Sequence, residues 1–112
     1  MTTGLAARTC TPCRKGAEPL SAAAAQALAA GIPDWTLRDG PSRIERHYRF
    51  ADFASAFAFV GRVAALAEAA DHHPDIAFGW GYARLSLHTH IIGGLHENDF
   101  ILAARCDEAF TA

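Results

Sequence analysis

Asp71-His72-His73-Pro74, then Asp75 to Leu87, then His88-Thr89-His90: this stretch decides how the chain must fold. Pro74 has no backbone N–H and forces its predecessor out of helical geometry, so a helix arriving at Asp71 stops there. Beyond it, Asp75–Trp80 and Tyr82–Thr89 read as two extended runs turning around Gly79 and Gly81. In the second run Ala83, Leu85 and Leu87 face one way. Tyr82, Arg84, Ser86, His88 and His90 face the other if the alternation holds that far. Four of the chain's six histidines fall here. Imidazole titrates near neutral pH, so such a cluster is where proton transfer is to be sought.

Upstream, Asp52 offers an N-cap to a long helix ending near Ala70. Phe53, Phe57, Val60, Ala64 and Ala67 form an apolar stripe at helical spacing, widened by Phe59, Val63 and Leu66. A helix this apolar around its girth is expected to be sandwiched or to meet another subunit. Before it, Trp35–Arg38 and Arg43–Phe50 flank the turn signal Asp39-Gly40-Pro41-Ser42. Ile44, Tyr48 and Phe50 share the apolar face of the second run, with Arg46 as the misfit among them. Ser21 caps an Ala-rich helix, Ala22–Ala30, stopped by Gly31 and Pro33. Residues 1–19 carry no periodicity and read as a flexible N-terminal arm, leaving 20–112 as one domain. Gly93-Gly94 breaks the chain before a closing helix, Glu97–Phe110. The order α-β-β-α-β-β-α predicts an α+β fold, a four-stranded antiparallel sheet with helices on one face.

The 112 residues are 51% hydrophobic and 20% charged with a net charge of -2. That balance suits one globular domain and excludes a non-specific nucleic-acid binder, which needs a basic excess. No apolar run is read as reaching the ~20 residues a bilayer requires, and Met1–Arg8 lacks the pattern of a secretory signal. Three cysteines, an odd number, fit a reducing compartment, so the expectation is a cytoplasmic protein. Cys10-x-x-Cys13 lacks the second ligand pair a zinc site needs and no strand precedes it, so its role is read as structural or incidental.

The histidines admit three readings. They serve at helix and strand ends as capping and surface groups. They hold a metal, although neighbouring His72 and His73 do not aim easily at one ion. Or they are acids and bases, with Glu68, Asp71 and Asp99 binding or orienting. The third requires the helix end and the strand end to converge on one cleft.

Glu68-x-x-Asp71-His72-His73-Pro74, followed by a hairpin ending Thr89-His90, then Gly94-Leu95 and Asp99, closely resembles the pterin-4a-carbinolamine dehydratase family. The resemblance runs from Trp35 to Ala103 and includes Phe50-x-Asp52-Phe53, Ala56-Phe57-x-Phe59 and Arg62-Val63-Ala64. Cys10-x-x-Cys13 with Pro19-Leu20 resembles bacterial members. The resemblance implies dehydration of 4a-hydroxytetrahydropterin to quinonoid dihydropterin, recycling tetrahydrobiopterin for aromatic amino acid hydroxylases. It implies no cofactor and no metal, the pterin being the substrate, and a homodimer or homotetramer. Catalytic roles fall to His72, His73 and His90. Acid–base work goes to His72 and His90, and His73 chiefly positions the pterin. Substrate contacts fall to Glu68, Asp71, Pro74, His88, Thr89 and Asp99. His88 stands where relatives commonly carry serine, and His96 where a helix-capping serine is usual. Some relatives instead act as dimerisation cofactors or assembly factors, the alternative for this chain.

Overall fold

The computed structural model describes residues 3–11 and 16–111. Its elements run α1 (Thr3–Ala6), α2 (Ala22–Ala29), β1 (Thr36–Arg38), β2 (Arg43–Arg49), α3 (Phe53–Ala70), β3 (Asp75–Gly79), β4 (Tyr82–Leu87) and α4 (Glu97–Thr111). A 3₁₀ turn over His90–Ile92 links the last two. The two hairpins make one antiparallel sheet in the order β1-β2-β4-β3, with helices on one face.

Strand pairing follows the alternation. Ile44 sits opposite Leu87 and Tyr48 opposite Ala83, so the apolar sides of β2 and β4 build a single buried surface. Arg46, the misfit, keeps its place because Asp107 of α4 reaches it at 2.7 Å. The same Asp107 oxygen accepts from Tyr48 Oη at 2.6 Å and Trp35 Nε1 at 3.0 Å. The guanidinium also lies 4.2 Å from the Tyr48 ring centre, a cation–π contact.

Helix α3 starts as its cap predicts, Asp52 accepting from the Ser55 N–H at 2.8 Å. Its inward face is a correction. Ala56, Phe59, Val63 and Ala67 are buried, whereas Phe53, Phe57 and Ala64 of the expected stripe face outward. Both faces are apolar, so helical period alone could not choose between them; docking on the sheet and α4 does. The length reading is also corrected, because α3's 18 residues average a hydropathy of 1.4, long and apolar enough to cross a membrane by composition. Here it packs Phe59 against Tyr48 at 4.6 Å and Phe50 at 5.2 Å between ring centres.

The expected arm departs most. Residues 3–11 lie along α4, with Leu5 only 7% exposed and in the core. Pro19 and Leu20 then run against the Gly94 region, where Leu20 N–H donates to Leu95 O at 2.8 Å. A Cβ at Gly94 would lie 2.6 Å from that of Pro19, which reserves the position for glycine. Cys13 lies outside the described residues.

The core predicts an alkaline weakness. Burial pushes the Cys106 thiol up to about 12 from 9.0, and burial together with the Asp107 hydrogen bond raises Tyr48 above the ordinary phenol value. Both groups stay protonated in the folded state after the unfolded chain has released the proton. Their stabilisation is therefore complete below pH 9 and is lost as pH rises towards 12, by at most ~1.4 kcal/mol per pH unit and group. Urea midpoints should fall between pH 8 and 10, with a shallower slope in Cys106→Ala. A midpoint that holds level over that range overturns the assignment.

Candidate functional site

The site begins where α3 ends. Asp71 adopts the left-handed conformation (φ 52°), its N–H bonded back to Ala67 O and Glu68 O, and the His72 N–H also reaches Ala67 O. This cap reverses the chain and Pro74 prevents any resumption. The two imidazoles then diverge. His72 turns inward and its Nε2 meets Asp99 Oδ1 at 2.5 Å. His73 turns back along the helix to Glu68, Nε2 to Oε2 2.6 Å, both side chains more than half exposed. That second pair is a solvent-screened contact of small energetic value.

Asp99 is fully buried, and three donors converge on it. Its Oδ2 accepts from the Thr89 hydroxyl at 2.8 Å and from the His96 backbone N–H at 3.0 Å. The His96 bond is half of a capping box. The other half is His96 Nδ1 accepting from the Asn98 N–H at 3.0 Å, so a histidine side chain caps α4. A carboxylate accepts only, so His72 Nε2 carries the proton in that bond and Nδ1 is left for other partners.

Strand β4 stops at Leu87, and Thr89 and Gly94 close the following loop as an isolated bridge. His88 and His90 remain on one side of it, His88 Nε2 and His90 Nδ1 3.2 Å apart. A cavity of about 520 Å³ results, lined by Asp71, His72, His73, His88, Thr89 and His90. That volume is typical of small-ligand sites, about 300–1,000 Å³. The expected convergence of helix end and strand end is therefore present.

Not every expected contact residue lines it. Glu68 and Pro74 stand outside, and Asp99 lies beneath it with no accessible surface, so its part is to hold His72 and Thr89 rather than to touch a ligand. Five lining residues were not among the sequence's site candidates: Cys10, Thr11, Ala70, Ile91 and Asn98. Cys10 and Thr11 belong to the segment taken as a loose arm, and no periodicity marked them. Burial raises the Cys10 thiol above its ordinary value, with Arg105 opposing and Asp99 and Glu97 adding to the rise. Among the described residues no group of three or more His, Cys, Asp or Glu is arranged to hold a metal ion.

Four imidazoles line one cavity and one of them is held by a buried carboxylate, an arrangement chemically able to take and return protons on a small molecule. The sequence profile of the pterin 4 alpha carbinolamine dehydratase family matches residues 18–109. A Methylococcus capsulatus protein provisionally named a pterin-4-alpha-carbinolamine dehydratase is 49% identical over 93% of this chain and 91% of its own length. A similarly named protein of Cupriavidus pinatubonensis is 50% identical over 96% and 93%. The crystal structure of a transcriptional coactivator/pterin dehydratase from Brucella melitensis superposes with a TM-score of 0.78 at 28% identity, covering 82% of this chain and 98% of that one. A pterin dehydratase-like protein identified as a RuBisCO assembly factor in the alpha-carboxysome follows at 0.61 and 28%, over 70% and 92%. The chain belongs to the pterin 4 alpha carbinolamine dehydratase family.

Proposed function

We propose that this chain is a hydro-lyase that dehydrates 4a-hydroxytetrahydropterin to quinonoid dihydropterin and water, in the cytoplasm, as a step of tetrahydrobiopterin recycling for an aromatic amino acid hydroxylase. The observation that carries this reading is the meeting of His72, His73 and His90 around one cavity, with His72 seated on buried Asp99. A protonated imidazole supplies a proton to the 4a hydroxyl, and the C4a–O bond breaks as the ring nitrogen's lone pair forms the new double bond. Water leaves, and the cation left on the ring gives its proton to a second imidazole, so no net proton is used. His72 and His90 take these two parts, and His73 positions the ring. Asp71, His88 and Thr89 supply polar contacts around it. The pterin is the substrate, and the scheme requires neither metal nor cofactor.

The test is direct. Purified protein added to 4a-hydroxytetrahydropterin generated in situ should accelerate the loss of water, followed by absorbance. A rate equal to the protein-free rate overturns the reading. Run on material of defined sedimentation mass, the assay also assigns the activity to a homodimer, a homotetramer or a monomer.

A second reading has one observation behind it. Phe53 and Phe57 of α3 stand 49% and 60% exposed beside Phe78, an apolar face suited to a protein partner or a second copy. A non-catalytic assembly or dimerisation role would use that face. Recovery of a stoichiometric partner by a protein inactive in the assay would favour it.

A further inference from the structure

We propose that Cys10 and Thr11 form a wall of the cavity, that Asn98 is the positioning residue holding this wall in place, and that the wall sets how tightly the pterin is bound. The inference rests on the dehydratase reading of the same site. The segment lies outside the family profile, which begins at residue 18.

Three separate attachments hold the segment to α4. Leu5 is buried in the core. Arg105 donates Nε to Ala6 O at 3.2 Å and a second N–H to Arg8 O, while the Arg8 guanidinium pairs with Glu97. The third attachment is the most specific. Asn98 Oδ1 accepts from the Thr11 N–H at 3.0 Å, and Asn98 Nδ2 donates to Thr11 O at 2.5 Å. One side chain thus takes both backbone groups of one residue, as a neighbouring strand would. Asn98 is 5% exposed, so water cannot readily replace either bond. The result is that Cys10 and Thr11 line the same cavity as His72 and His90. A small hydroxyl and a thiol held protonated by burial suit an uncharged heterocycle with hydrogen-bonding edges better than an ion.

The experiment compares full-length wild type, Asn98→Asp and Thr11→Trp, using 7,8-dihydropterin as the binding probe and the dehydration assay for kcat and KM. In Asn98→Asp a carboxylate oxygen faces the Thr11 carbonyl, so the clamp opens. Kd and KM should rise about 10-fold, equivalent to ~1.4 kcal/mol, with kcat kept within about 3-fold. Dihydropterin should slow alkylation of Cys10 in the wild type and cease to do so in Asn98→Asp. Thr11 is exposed, so Thr11→Trp retains the fold even if Asn98→Asp does not, and it should raise Kd to a similar extent. Unchanged Kd and KM in either folded variant overturns the proposal. A wild type that binds dihydropterin without dehydrating its substrate, and whose variants show these Kd shifts, supports the wall while removing the dehydratase reading. Failure of the wild type to bind dihydropterin removes both.

Discussion

His72→Ala is expected to lower kcat for dehydration by about 10²–10⁴-fold, the usual contribution of one positioned acid–base group, and His90→Ala by a similar factor. His90→Ala should leave urea midpoints nearly unchanged, whereas His72→Ala strips buried Asp99 Oδ1 of its donor and should lower them, so kcat is compared per folded molecule. His73, exposed and paired with exposed Glu68, should affect KM more than kcat. Asp99→Asn separates orientation from packing. The amide keeps the shape but cannot accept on both sides, so either His72 or the Thr89 and His96 donors lose a partner, and kcat should drop about 10-fold or more. If Asp99 served only to cap α4, the variant would be less stable yet turn over normally per folded molecule. A double variant, His72→Ala with His90→Ala, working at the wild-type rate would end the acid–base assignment altogether.

The largest expected loss of stability is at the other end of α4. Asp107→Ala removes the acceptor shared by Trp35, Arg46 and Tyr48, whose donors lie 2.6–3.0 Å from one oxygen. Arg46 and Asp107 are only 16% and 25% exposed, so the guanidinium would remain largely desolvated and without its close partner. Breaking a buried pair in this way costs about 3–5 kcal/mol, a large share of the ~5–15 kcal/mol that holds a domain folded. Arg46→Met should cost less, because the Asp107 carboxylate left behind keeps Tyr48 Oη and Trp35 Nε1 as donors. A urea-derived loss under about 1 kcal/mol for Asp107→Ala would mean that water already satisfies these donors.

What the sequence made legible divides along physical lines. The alternation in β2 and β4 and the caps at Ser21 and Asp52 are local patterns, and each recurs in the structure with its hydrogen bonds. The His-His-Pro turn was local as well, since proline and a left-handed residue before it determine where α3 ends. Arg46 could not be understood locally, because its partner is Asp107, far along the chain. The inward face of α3 was ambiguous because its apolar residues circle the helix. The Cys10–Thr11 wall was invisible for another reason. It is held by side-chain bonds to backbone atoms from Asn98 and Arg105, which leave no periodic trace in the segment they fasten. That Glu68, Asp71 or Asp99 would orient an imidazole was suggested by residue type, whereas the pairing of His72 with Asp99 and the complete burial of Asp99 emerge only when Thr89 and the start of α4 close over it.

Asp99 begins a helix with one oxygen and steadies an imidazole with the other. Its tolerance for change is correspondingly low, because any replacement that retunes the chemistry also disturbs the foundation of α4. Diversification of this site, by natural drift or by an engineer, is thereby channelled to the rim. There the side chains of Thr11, His88 and Ile91 line the cavity with far lighter architectural duties.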